Sequence, residues 1–242
     1  MDEKIMQELE YLRLQSERYQ AYIDCSNVLA RYVYYHASND RDKIGACFAT
    51  NTPGVKVEMM YGVFEGKEGL EAFFMHHPQA GEPDDEPGRL HIHTLTTPIV
   101  EVAADCQTVK GAWYSPGIES DAKTGQWAWM KYGADFIKED GVWKIWHLHA
   151  YSIFMTPYDK CWTEIEPYGK NMRGGAMPPM GEMPPGEGGP GGPGGPVGPR
   201  GGNGYMPKPT TTYYGFDAES HYPGDQPTPP LPYETFDPAT AY

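Results

Sequence analysis

Four histidines stand in two pairs at i, i+2 spacing: His91 and His93 in HIHTLTTP, His147 and His149 in WHLHAY. On a strand, residues two apart share a face, so each pair can present two imidazoles to one side of a sheet. A metal site needs three or four converging ligands in fixed geometry. Neither pair is followed by an Asp or Glu at a spacing that would complete such a set, and no metal is expected. Acid–base chemistry needs fewer groups. An imidazole titrates near neutrality and can take up a proton and return it. A tyrosine hydroxyl can hold an oxygen on which charge develops. His93 and Tyr32 form that minimal catalytic pair, with His91 on the face of His93 nearer the strand end. His147 and His149 alternate with Trp146 and Leu148. Either face of that strand could be the inner one, and His149 is taken as a candidate binding residue.

The chain of 242 residues carries a formal charge of −14. That balance lacks the clustered Lys and Arg of a nucleic-acid binder and suits anionic membranes no better. No apolar run reaches the roughly 18 residues of a membrane span, and the acidic N-terminal stretch has no signal-peptide core. A cytoplasmic protein is expected. Cys25, Cys47, Cys106 and Cys161 are widely spaced, as reduced thiols rather than a disulfide frame. G-K-[ST] and G-x-S-x-G are absent, and G-x-G-x-x-G occurs only within the Gly/Pro-rich run, away from any strand–helix turn, which removes the common nucleotide and serine-hydrolase signatures.

The elements that must position the histidines follow from periodicity. Ile5, Leu9, Leu12 and Tyr19 recur at helical spacing over residues 2–20, and Ile23, Leu29, Tyr32, Val33 and His36 continue on a second helix face. Ser38 or Asn39 can cap a further short helix. VKVEMMYGVF reads as one strand with Val55, Val57, Met59 and Tyr61 on one side, and GKEGLEAFFMHH as a helix. Strands are expected near 90–102, 107–116, 126–138 and 142–153, with turns at AADC, ESDAKTG and EDG. Helices followed by a meander of long antiparallel strands give an α+β fold: a cone-shaped α+β barrel whose curved sheet wraps the N-terminal helices. Four segments result: an N-terminal helix (1–20), the barrel domain (21–165), a Gly/Pro/Met-rich disordered linker (166–204) and a Pro/aromatic-rich tail (205–242). The tail is extended, or else an arm that packs on the domain or on a neighbouring subunit.

LARYVYYHASNDRDKIGACFAT, YGVFEGKEGLEAFF, HIHTLTTPIVEV and KEDGVWKIWHLHAY together resemble the SnoaL-like branch of the nuclear transport factor 2-like superfamily, over roughly residues 15–155. The resemblance implies a pocket inside the cone and enzymes that mostly need no cofactor, such as polyketide cyclases, scytalone and bile-acid dehydratases, ketosteroid isomerase and a diarylpropane lyase. It places Tyr32 and His93 at dehydratase catalytic positions and His36 at a substrate-binding position. Where those families put an aspartate beside the histidine, this chain has Ala37, and Asp24 and Asp40 are the nearby substitutes.

The pocket wall is drawn from Tyr35, Met59, Tyr61, Trp113 and Tyr132, with His36, His91 and His149 as polar members. Such a lining fits a flat apolar ligand held by a few polar groups. The expected activity is a cofactor-independent lyase of dehydratase type on a hydroxylated aromatic or polycyclic molecule, with carbon–carbon cleavage through a quinone methide as a variant. Cyclisation or isomerisation is the second enzymatic reading, and a non-catalytic small-molecule-binding domain the third. A homodimer or homotrimer is expected.

Overall fold

The structure, a computed structural model, describes residues 3–59, 62–74, 88–120, 124–164, 208, 216, 218 and 224–242. Helix α1 runs unbroken over Glu3–Ala37, which carries the expected change of apolar face within one helix. The face change is real: Ala21, Cys25, Val28, Leu29 and Tyr32 are buried on one side. Helix α2 (Arg41–Ala46) is capped by Asp40, whose side chain accepts from the backbone of Lys43 at 3.3 Å, rather than by Ser38 or Asn39. Strands β1 (Lys56–Met59) and β2 (Gly62–Glu65) pair antiparallel, so the expected single strand is a hairpin. Helix α3 (Gly66–Phe74) follows.

The remaining strands are β3 (Leu90–His93), β4 (Thr96–Val102), β5 (Thr108–Ser120), β6 (Gly125–Glu139) and β7 (Val142–Pro157). They form a seven-stranded mixed sheet in the order β2-β1-β7-β6-β5-β3, with β4 also on β5. The strand expected over 90–102 is broken. Thr97 takes a φ of +51° beside a register shift between Thr96 and Ile99. A β-branched residue seldom adopts that conformation, and Pro98 supplies no N–H to a ladder. β3 and β4 therefore pair with different parts of β5.

Alternation along β6 assigns the faces. Ala128, Met130, Tyr132, Ala134 and Phe136 point to α1 and join Leu29, Tyr32, Phe48, Ile145 and Leu148 in one core. Burying one such side chain stabilises by roughly 1.5–3 kcal/mol. Trp127, Trp129, Lys131, Gly133 and Asp135 point outward.

The end of the chain lies against that outer face. Ala104 N–H donates to Tyr233 O at 2.9 Å, Lys131 Nζ to Gly224 O at 2.8 Å, and Tyr242 N–H to Asp135 Oδ2 at 2.9 Å. Beneath this arm Asp135 is fully buried between Lys110 Nζ and His147 Nδ1, each at 2.8 Å. Lys110 also donates to Thr240 O at 2.6 Å and sits under the rings of Phe236 and Tyr242. A charge on a bare outer face would keep its water; here burial is met by opposite charge and hydrogen bonds on every side. Residues 224–242 thus take the packed-arm alternative, and the Gly/Pro/Met-rich run at 166–204 lies outside the described residues. Among the described residues no helix is long and apolar enough to cross a membrane.

Candidate active site

The inner face of the sheet near the start of β3 brings three histidines and a glutamate together. β3 pairs with β5 so that His93 is opposite Gly117 and His91 opposite Glu119. β5 pairs with β6 so that Glu119 is opposite Gln126. The parity is that of Tyr132 and Met130, so these side chains share the inner face. From the helix side His36 adds its ring, 5.9 Å from that of His91 and 6.1 Å from that of His93 between centroids.

The central contact is His93 Nε2 with Glu119 Oε1, at 3.1 Å. Gln126 Nε2 donates to the other carboxylate oxygen at 2.9 Å. Burial alone would raise the Glu119 carboxyl. The hydrogen bond from His93, the charges that His93 and His91 carry once protonated in acid, and the Gln126 amide together bring it down to about 2. An ionised carboxylate can only accept, so Nε2 of neutral His93 carries the hydrogen and Nδ1 the lone pair. Nδ1 is buried and has no hydrogen-bond partner among the described residues. The ring lies over Gly117, where a Cβ would stand 2.5 Å from Nδ1.

The two flanking imidazoles stay neutral. Packing on all sides of His36, although part of its surface remains accessible, pushes it down to about 3, and the neighbouring His93 and His91 act in the same direction. Burial lowers His91 as well, against the pull of Glu119. Tyr132 is buried on the same face. Burial raises its hydroxyl above the ordinary value, with Ser115 pulling it down and the charge of Glu119 pushing it up.

Of the residues singled out in the sequence, His93, His91, His36 and Tyr132 come together here. Tyr32 is one helical turn before His36, buried, with its ring 5.9 Å from that of His36 and packed edge-on against Phe48. It reaches the cluster through His36. Tyr35 turns toward α2, where Lys43 Nζ lies 5.6 Å over its ring. Trp113 lies across Gly111 and packs edge-on against Phe136 in the core. Met59 is half-buried at the end of β1, and Tyr61 lies outside the described residues.

His149 stands on the opposite side of the sheet, opposite Gly133 and stacked on Tyr151 with centroids 3.7 Å apart. Burial lowers it to about 4, against the pull of Glu58, whose carboxylate is 3.6 Å away. His147 shares that outer face with the ion pairs beneath the arm. The bulged register of β7 around Trp146 is why simple alternation did not decide its faces.

Glu119 and Gln126 were missed. ESDAKTG reads as a turn, but β5 continues to Ser120, which makes Glu119 its last inward residue. Only the register of three strands shows that it meets His93. Asp24 is half-buried and accepts from Gln20 at 2.8 Å, and Asp40 caps α2; neither replaces the family aspartate. Among the described residues no group of three or more His, Cys, Asp or Glu is arranged to hold a metal ion.

Residues 17–149 match the family model of the SnoaL-like domain. A putative scytalone dehydratase from Novosphingobium aromaticivorans DSM 12444 is 15% identical, over 62% of this chain and 93% of its own, with a TM-score of 0.46. The hexachlorocyclohexane dehydrochlorinase LinA-type3 from Novosphingobium barchaimii LL02 is 14% identical over 61% of this chain and 96% of its own, at 0.49. A structure of LinA is 14% identical over 61% and 96%, at 0.50. These similarities concern the fold. No curated protein sequence matches the chain significantly.

Proposed function

Because the chain belongs to the SnoaL-like domain family of the nuclear transport factor 2-like superfamily, we propose that its inner site is that of a cofactor-independent dehydratase for a hydroxylated aromatic or polycyclic small molecule. The observation that carries this reading is the His93–Glu119 pair at 3.1 Å on the inner face, with Nδ1 buried and unpartnered among the described residues. A carboxylate on Nε2 fixes the tautomer and steadies the imidazolium that forms when Nδ1 takes a proton. His93 Nδ1 removes the proton from a carbon next to a carbonyl or an electron-poor ring. The carbon–hydrogen pair becomes the new double bond as the carbon–oxygen bond breaks. The proton on His93 then leaves with the hydroxide as water. The neutral rings of His36 and His91 and the hydroxyls of Tyr132 and Tyr32 supply hydrogen bonds to oxygens that gain or lose charge. The buried aromatic residues around them favour ring-bearing substrates. The site and its reaction lie within one subunit, and the expected setting is the cytoplasm.

The test is turnover, in EDTA throughout, of a panel of β-hydroxy ketones, hydroxysteroids and phenolic diols, followed by ultraviolet absorbance of a new conjugated double bond. Positioned acid–base groups supply roughly 10²–10⁴ in rate, so His93→Ala should lower kcat by about that range. Full activity in His93→Ala would overturn the assignment. Saturable binding of panel members with no turnover would make the domain a binding module.

A further inference from the structure

Helix α1 has two apolar stripes on opposite sides. One, formed by Leu14, Ala21, Cys25, Val28, Leu29 and Tyr32, packs on the domain. The other is Ile5, Leu9, Leu12, Tyr19 and Ile23, exposed by 52, 52, 54, 70 and 49%. At 3.6 residues per turn the two stripes lie about 170° apart. Every residue from Glu3 to Arg13 is exposed. An isolated helical segment of this length is marginal in water, and apolar residues aligned along it call for a partner.

We propose that this outer stripe forms a parallel two-stranded coiled coil with the same stripe of a second copy of this chain. Positions 5, 9, 12, 16, 19 and 23 recur at intervals of 4, 3, 4, 3 and 4, which is the a/d seam of a heptad repeat. Ser16 is its one polar member. A heptad seam is complementary to itself in register, so the repeat points to an identical helix. Charge agrees with the parallel arrangement. With Leu9 and Leu12 at a and d, Glu8 falls at g and Arg13 at the following e, which brings Glu8 of one helix to Arg13 of the other. Arg13 already collects Glu10 and Glu17 of its own helix at 2.6 and 2.5 Å, which holds its guanidinium at the seam's edge. The arm covers the outer sheet face around Asp135 and Gly133, so that part of the sheet is closed to a second subunit.

The full-length chain is tested at micromolar concentration by sedimentation equilibrium. A dimer is expected, and Leu9→Glu with Leu12→Glu should weaken it by about 100-fold or more while far-ultraviolet circular dichroism of the folded domain persists. In a Cys161→Ser background, Ile5→Cys should form a disulfide-linked dimer on mild oxidation, because the two residues face each other only in the parallel register. A monomeric wild type, a trimer, a dimer that survives the double substitution, or a dimer that Ile5→Cys fails to cross-link would each overturn the proposal.

Discussion

Gly117 and His93 are in such close contact that the absence of a side chain at 117 sets the position of the imidazole: a Cβ there would stand 2.5 Å from Nδ1 and 2.6 Å from the carbonyl of Ile92. Both contacts must be relieved, so the ring has to turn and the β3 backbone at Ile92 has to shift with it. Gly117→Ala should turn His93 off Glu119 and lower kcat at least about tenfold, as loss of a positioned base does. In a double-mutant cycle, Gly117→Ala should add nothing to His93→Ala, since both remove one function. Independent, additive losses would show that the glycine serves packing alone.

Glu119→Gln keeps shape but removes the charge that balances the imidazolium. Its kcat should fall by roughly 10²-fold, with KM little changed, and the Gln126 amide left facing another amide. Wild-type kcat in Glu119→Gln would leave His93 without a functional partner.

Stability should fall steadily as acid is added. Glu119 sits at about 2 in the folded chain, below the ordinary carboxylate value near 4.3, so the unfolded state binds its proton first. Its contribution is complete above that ordinary value and is lost as pH falls toward 2. His36 is depressed to about 3 from an unfolded value near 6.5. The unfolded chain again takes the proton first, and stability drops from pH 6.5 down to 3. Urea midpoints between pH 7 and 4 should therefore decline, and His36→Gln should flatten the curve. A midpoint independent of pH over that range would contradict the burial of His36.

The path from residues to fold was short where periodicity was strong. Phe136, Ala134, Tyr132 and Met130 alternate with outward residues, and the meander of β5, β6 and β7 follows from that pattern and its turns. The pairing of His91 with His93 on one face was equally local. Glu119 was invisible for a physical reason: its partner is 26 residues away in sequence, and its own surroundings are turn-like. Thr97 broke one strand, and the Trp146 bulge shifted the register of another, where alternation gave no warning. The arm was legible only as too many aromatics for a linker.

Phe136 is fully buried, with Trp113 edge-on at 6.3 Å. Phe136→Ala should cost about 3–5 kcal/mol, measured by urea unfolding, and a loss under 1 kcal/mol would mean that the core collapses around the gap.

The arm should respond to Gly133 as His93 does to Gly117. A Cβ at 133 would meet the Tyr242 ring at 2.6 Å. Gly133→Val should lift the arm and speed hydrogen exchange at the amides of Ala104 and Asp105, which donate to Tyr233 O and Glu234 O. Unchanged exchange would show that Tyr233 and Glu234 hold the arm without Tyr242.

The arm also imposes an order on biosynthesis. Lys110, Asp135 and His147 are made about a hundred residues before the segment that encloses them. On the ribosome the barrel can close its inner core while this outer face is still wet, with its charges hydrated and its strands uncovered. Only when residues 233–242 emerge does the last layer dehydrate. The nascent protein therefore passes through a form that has His93 in place but an open outer face, the state in which an unfinished chain is most exposed to other proteins in the cell.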